Sequence, residues 1–338
     1  MTYSSGRRLA VLTLLAAGLL SAPHAHANDP LDLTSPALTE FIERMESKHG
    51  VPRDRTVSIL KEARIQPRII EIMSKPAEKV MPWYEYREIF ITDKRIDAGI
   101  EFWSEHEDTL NRISSKTGVP VEIIVGIIGV ETFFGRITGN YRVIDSLATL
   151  AFEYPPRSKF FSSELEQFLL LTDEHRIDPL TVTGSYAGAM GGPQFISSSY
   201  RAYAVDGSGD ERVDLWSDWA DIIASVANYF MVHGWIKNGP VLSEVNGPVP
   251  ADALSKGTRF DREVGVLLDK GVDFKPVDEK SAGAMLFALE YKDGPGYWVG
   301  YKNFYVITRY NHSVMYASAV YELATGIRQR REAGVDAG

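Results

Sequence analysis

The stretch at residues 119–136, VPVEIIVGIIGVETFFGR, decides how the chain is to be read. It is apolar almost throughout, has Pro120 near its start, as the first turn of a helix allows, and carries one acid deep inside the apolar run, Glu131. On an α-helix, residues three, four and seven apart share a face. Ile124, Ile127 and Ile128 therefore put Glu131 on the buried stripe, unlike Glu122. An unpaired buried carboxylate resists ionisation, so its pKa rises. A carboxylic acid still protonated near neutrality can give a proton to a leaving oxygen. The same position also suits a structural Glu satisfied by a buried Arg or by backbone N–H groups, and this segment alone leaves both readings open.

Working outward, the chain is mostly helical in pattern. SPALTEFIERMESKHG (35–50) reads as a capped helix, with Ser35 at the N-cap, Pro36 in the first turn, Gly50 at the C-cap and an apolar stripe of Leu38, Phe41, Ile42 and Met45. Helical patterning continues through RIDAGIEFWSEHEDTLNRISSKTG (95–118) and recurs at 163–173 and 218–235. After about residue 240 the character changes. NGPVLSEVNGPVPADAL is a Gly/Pro-rich link, and the run from Gly283 to Tyr310 reads as a hairpin or small sheet about an Asp293-Gly294 turn. A last helix, VMYASAVYELATGI, places Tyr316, Val320, Leu323 and Ile327 on one stripe. The expected class is mainly α with a small antiparallel β lobe (α+β).

Composition narrows the function. The 338 residues are 44% hydrophobic and 24% charged, ordinary for a globular protein large enough for two or three lobes. Arg7 and Arg8, the apolar LAVLTLLAAGLL and the small-x-small AHA at 25–27 read as a secretory signal peptide over residues 1–27, cleaved near Ala27-Asn28. Its apolar run is short of the ~20 residues that span a bilayer. The net charge of -9 becomes more negative once that leader, with its two Arg and no acids, is removed. An acidic chain without Lys/Arg runs is poorly suited to nucleic acid or to anionic lipid. With no cysteine there are no disulfides, thiol nucleophiles or lipid-bearing N-terminal Cys, so the expectation is a soluble periplasmic or secreted protein without a membrane anchor. No HExxH, G-x-S-x-G, GxGxxG after a strand, or GxxxxGK[ST] occurs.

Two further stretches suggest a ligand. TGSYAGAMGGPQF (183–195) is dominated by small residues that let backbone approach a ligand, with Ser185 and Gln194 offering neutral hydrogen bonds; alone it would read as a tightly packed loop. FYVITRYNHS (304–313) sets Tyr310 beside Asn311 before the last helix, a pairing that suits sugar faces and N-acetyl groups. GVETFFGR, GSYAGAMGGPQF and RYNHS, in this order, resemble the lytic murein transglycosylase B family, which cuts the bacterial cell-wall glycan. The similarity runs from YEYREIFIT at 84 to the last helix.

The resemblance implies a lysozyme-like helical core with an added helical part and a small β part. On that basis we expect a helical region at 28–118, a catalytic core at 119–240, a β lobe at 241–308 and a returning C-terminal helix at 309–338. Glu131 matches the family's single catalytic acid/base. Ser185, Gln194, Phe195, Tyr310, Asn311 and Tyr316 match cleft residues, Arg157 a substrate-contacting Arg, and Tyr86 a cleft Tyr. Three positions depart from the family pattern: Pro156 leaves Arg157 as a lone Arg, Phe160 stands where some members have Tyr, and Gly192 stands where a larger residue is common. The implied reaction cleaves the MurNAc-GlcNAc β-1,4 bond without water and leaves 1,6-anhydro ends. A hydrolytic lysozyme-type muramidase would need a second carboxylate ~5–10 Å away, for which Asp145 and Glu153 are candidates. A non-catalytic peptidoglycan-binding protein would be expected to have lost the acid.

No cofactor is implied for catalysis. DGSGDERVD (206–214) begins like a calcium loop, with Asp206, Ser208 and Asp210 at positions 1, 3 and 5, then departs at Glu211 and Ser217. In the resemblance Asp221 matches a closing ligand, which makes structural calcium an expectation. The expected partners are peptidoglycan strands, with other cell-wall enzymes as further candidates, and the chain is expected to be a monomer.

Overall fold

The computed structural model describes residues 29–74, 81–276 and 279–336. The leader expected at 1–27 and its cleavage point lie outside these residues. Helices α1 (Pro36–His49), α2 (Arg53–Glu62), α3 (Pro67–Ser74), α4 (Trp83–Phe90), α5 (Asp93–Glu105) and α6 (Glu107–Thr117) lead into α7 (Val121–Thr132). The short strand β1 (Tyr141–Arg142) precedes α8 (Val143–Phe152) and α9 (Ser158–Glu174). It pairs antiparallel with β2 (Thr183–Gly184). Then come α10 (Ser197–Tyr203) and α11 (Trp219–Val232).

Local sequence explains the first helix. Ser35 Oγ accepts the Leu38 N–H at 3.4 Å, and Gly50 stops the helix at φ 68°, in the left-handed region glycine adopts without strain. The four stripe residues expected to be inside are buried. The helical pattern read through 95–118 breaks at His106, which ends α5 and leads into α6.

α7 is the central helix. Every residue in it is buried except Glu122 and Glu131, as expected of a helix apolar on all sides. It is crossed closely by the last helix, α14. A Cβ at Gly126 would lie 2.9 Å from the Val320 carbonyl oxygen, and one at Gly129 would lie 3.0 Å from Leu323. The two glycines, one turn apart, let the two helices approach. From α14, Tyr316, Val320, Leu323 and Ile327 are all buried, as their stripe indicated.

A five-stranded antiparallel sheet, ordered β4-β6-β7-β3-β5, forms the small β part. Its strands are β3 (Leu242–Asn246), β4 (Arg262–Glu263), β5 (Asp273–Phe274), β6 (Gly283–Tyr291) and β7 (Gly294–Gly300), with α12 (Val264–Asp269) between β4 and β5. The expected hairpin is β6–β7, with Tyr291 opposite Gly294. β6 is buried on both faces. Met285, Phe287 and Leu289 join the main core, while Ala284 and Leu286 join a second cluster with Val264, Phe274 and Val299.

The β reading carried on past Gly300 is corrected by the structure: α13 (Lys302–Tyr310) is a helix. Its β-branched Val306 and Ile307 suggested a strand, but the burial of Phe304, Ile307 and Thr308 follows helical spacing. Phe304 stacks on Phe287 at 4.8 Å, so packing on the sheet overrides local propensity. α14 spans Val314–Asp336. Among the described residues no single helix is long and apolar enough to cross a membrane.

Candidate active site

Glu131 lies in the last turn of α7. Beyond it the chain reverses through Phe133 and Phe134, both at positive φ (51° and 58°), a conformation that non-glycine residues seldom take and that clusters at functional sites. Thr132 Oγ1 supports the turn by accepting the Gly135 N–H at 3.0 Å. The Glu131 side chain keeps a partly exposed surface, but its carboxyl sits deep enough that burial pushes its pKa up to about 7. The Tyr316 hydroxyl, from α14, donates to Glu131 Oε1 and pulls the other way without cancelling the burial effect.

Two more tyrosines complete this surrounding. Tyr86 on α4 and Tyr310 at the end of α13 both have raised hydroxyl pKa values, by burial first and then by the nearby Glu131 charge. Tyr310 donates to the Pro193 carbonyl at 2.7 Å. This ties the end of α13 to the small-residue segment. Phe195 is only 2% exposed and lies 5.8 Å from the Tyr310 ring, so it supports that ring within the core.

The segment 183–195 folds as a knot of short turns. Gly184 bridges to Met190 and Met190 to Phe195. Ser185 Oγ accepts the N–H groups of Ala187 and Ala189 at 3.3 and 3.0 Å. Gln194, at φ 52°, spends its NH2 on the carbonyls of Thr138 (3.1 Å) and Gly191 (2.9 Å), which leaves its side-chain oxygen as the group it can offer to a ligand. Gly192, read from sequence as a departure, has a local reason. A Cβ there would sit 2.9 Å from Ile222, so this chain's packing favours no larger residue.

Glu131, Tyr86, Tyr310 and Tyr316, with Phe195 against Tyr310, are thus brought together by elements far apart in sequence, while Ser185 and Gln194 belong to the turn segment that Tyr310 ties down. Asn311, exposed in the link between α13 and α14, follows Tyr310 directly. Arg157 is placed differently. It is exposed, its guanidinium lies over Phe160 (4.5 Å) and Phe161 (5.0 Å), and among the described residues no hydrogen bond or ion pair joins it to those around Glu131. Sequence reading missed Tyr229 on α11. Its ring lies 4.7 Å from Tyr310 and 4.0 Å from His233, and its hydroxyl donates to the Arg309 carbonyl at 2.6 Å. The signal available was the Tyr229/His233 pair four residues apart on an apolar helix.

The candidate second acids differ. Asp145 is buried, but both of its oxygens are bonded by the Arg142 guanidinium (2.8 and 2.9 Å), and the Arg64 N–H adds a bond at 2.8 Å. It is a structural acid. Glu153 follows the end of α8 and is largely exposed, its pKa raised by partial desolvation. A cleft of about 900 Å³ between the end of α9 and the acidic loop is lined by none of the residues around Glu131.

The acidic loop has oxygen donors of the kind a hard cation takes, but they are engaged with backbone. Asp206 accepts from Gly209 and Glu211 N–H, and Asp210 from Arg212 N–H. Asp221, 1% exposed, accepts from Gly207 (2.8 Å), Ser208 (3.2 Å) and Asp214 (2.7 Å). Among the described residues no three acidic or His side chains converge as a cation cage. The donor chemistry is that of a calcium loop, with its carboxylates turned onto backbone N–H groups in this conformation.

Comparison with known proteins places this arrangement. The family model for the transglycosylase SLT domain matches residues 34–325. The chain is 43% identical over 306 residues to membrane-bound lytic murein transglycosylase B of Escherichia coli (strain K12), covering 88% of this chain and 84% of the relative. Catenated SltB1 of Pseudomonas aeruginosa superposes with a TM-score of 0.85 at 47% identity, over 88% of this chain and 98% of that one. Escherichia coli Slt35 in complex with calcium gives 0.82 at 43%, over 90% and 96%. Pseudomonas aeruginosa SltB3 in complex with NAG-NAM-pentapeptide gives 0.76 at 29%, over 86% and 78%. With a match that runs almost from the first helix to the last, the chain belongs to the lytic murein transglycosylase B family and is a lytic transglycosylase of lysozyme-like fold.

Proposed function

We propose that Glu131 alone performs both proton transfers of a non-hydrolytic cut in peptidoglycan. The observation that carries this is the buried Glu131 carboxyl with its pKa near 7, held by Tyr316, while Asp145 is committed to Arg142. Protonated Glu131 gives its proton to the glycosidic oxygen between N-acetylmuramic acid and N-acetylglucosamine. The N-acetyl oxygen of the same muramic acid supports the positive charge at C1 as an oxazolinium-like intermediate. Ionised Glu131 then takes the proton from that sugar's C6 hydroxyl, and the C6 oxygen closes on C1. The product carries a 1,6-anhydro end. Proximity within one sugar replaces an external nucleophile.

Other residues hold the parts. The Tyr316 hydroxyl orients Glu131 and helps it carry charge between the two steps. Ser185, Gln194 and Asn311 are assigned to the N-acetyl and C6 groups, Tyr86 and Tyr310 to sugar faces, Phe195 to the support of Tyr310, and Arg157 to substrate outside the reacting sugar. The chain acts as four parts with the boundaries given above, the helix Lys302–Tyr310 joining the β lobe to the core. It is exported and works soluble in the periplasm. The Escherichia coli relative is named membrane-bound, whereas this sequence has no cysteine to carry a lipid. Calcium, through Asp206, Ser208, Asp210 and Asp221, has a structural role and requires the loop to release some of its backbone bonds first.

The product decides the reading. Muropeptides released from purified sacculi in ¹⁸O-water are expected to carry 1,6-anhydro ends without label when analysed by mass spectrometry. Labelled reducing ends would make the enzyme a hydrolase.

A further inference from the structure

Phe133, two residues beyond Glu131, is ringed by cations. Lys94 Nζ lies 5.9 Å from its centroid, Arg95 Cζ 4.8 Å and Arg136 Cζ 5.0 Å. Arg95 also covers Phe90 at 5.1 Å, and Phe90 in turn lies 5.1 Å from Tyr86, beside the acid. The carboxylates of this helix are committed elsewhere. Asp93 and Asp97 pair with Arg330, and Glu101 with Arg136 at 3.4 Å. Lys94 and Arg95 make no ion pair among the described residues, and Arg95 Nη1 is shut away from water with no hydrogen-bond partner.

An acidic protein thus holds two uncompensated cations at the turn that follows its catalytic acid. A guanidinium clamped between two rings is pre-oriented, and with Nη1 shut away it is the remaining N–H groups of Arg95, with the exposed Lys94 ammonium, that can meet a carboxylate. We propose that Lys94 and Arg95, braced by Phe90 and Phe133, bind a carboxylate of the peptide carried by the glycan, so that the enzyme distinguishes peptide-bearing from naked strands. This rests on the lytic transglycosylase reading for its substrate. The contact is linked to the acid through Phe90 and Tyr86 and stands on an element separate from Arg157.

The test uses the full chain with Lys94→Ala and Arg95→Gln combined, on peptide-bearing strands and on strands stripped of peptide by an amidase. On peptide-bearing strands KM is expected to rise about tenfold, the factor of one charge-assisted hydrogen bond, with kcat unchanged. On stripped strands neither constant should move. Arg95→Lys should restore part of the difference, and added salt should erode it in the parent protein. Equal losses on both substrates would mean that Arg95 only packs, and no loss on either would mean that the cations are idle; each overturns the proposal. Should the double variant lose its melting transition, Lys94→Ala alone carries the same comparison with a smaller expected rise. Calorimetric titration of a Glu131→Gln protein with NAG-NAM-pentapeptide and with the peptide-free disaccharide reads binding without turnover. A preference for the peptide form that vanishes with Lys94 and Arg95 supports the proposal even if the product proves hydrolytic, and its absence overturns it.

Discussion

Two helix-borne acids, Glu131 and Asp221, are both largely withdrawn from water, yet they do opposite things. Asp221 stands in the first turn of α11, where the helix dipole favours negative charge, and three backbone N–H groups meet its oxygens. Glu131 stands in the last turn of α7, where the dipole opposes charge, and one tyrosine hydroxyl meets it. Burial is shared; the supply of donors is not. A carboxylate with enough donors is a structural part, and one held short of them binds its proton more tightly.

The sharpest way to break this contrast is Glu131→Gln. Loss of a general acid should lower kcat by ~10²–10⁴-fold, measured as anhydro-muropeptide release by a variant with an unchanged circular dichroism spectrum. Turnover near that of the parent would remove Glu131 from the mechanism.

The same substitution should help the fold. A carboxyl with an ordinary pKa of 4.5 raised to about 7 in the native state binds its proton more tightly when folded, so stability falls as pH rises from 4.5 through 7. At 1.36 kcal/mol per pH unit the penalty above pH 7 is at most about 3 kcal/mol. Urea melts should therefore show Glu131→Gln level with the parent at pH 4 and more stable at pH 8. A variant less stable than the parent at pH 8 would mean that Glu131 is satisfied after all.

Asp221→Asn should move the other way. It sets an amide donor against backbone donors and should cost about 1–3 kcal/mol by the same melts. Millimolar calcium should raise the melting temperature of the parent but not of this variant. A variant as stable as the parent would make the loop's hydrogen bonds incidental.

The smallest expected effect is a shift in pH dependence. Activity that requires protonated Glu131 should fall as pH rises through about 7. Tyr316→Phe removes the hydrogen bond that lowers this pKa, so the alkaline limb should move to higher pH, with a reduced maximum. A limb that stays in place would detach Tyr316 from the acid.

How much of this was legible depended on range. Glu131 could be read because three isoleucines within one helix fix its face, and α1 because Ser35 and Gly50 mark its ends. The Tyr316–Glu131 bond joins positions 185 residues apart, and no local period reports such a contact; only the ordered motifs pointed to it. α13 was misread because Val306 and Ile307 favour strands locally, while the sheet surface that selects a helix there belongs to Phe287, elsewhere in the chain. Asp145 and Glu131 look alike in sequence, both in apolar helical runs. What separates them is Arg142, three residues before Asp145, and a backbone N–H from Arg64 that sequence does not locate.

The close crossing at Gly126 and Gly129 bears on folding order. Glu131 belongs to a helix formed early along the chain, and its tyrosine partner belongs to a helix that begins at Val314. Bringing the two together means closing a loop that contains the whole β sheet, and non-local contacts of that kind form slowly. A chain folding from its N-terminus therefore has the acid well before it has the tyrosines that enclose it. Glycan cleavage then becomes a readout of complete assembly.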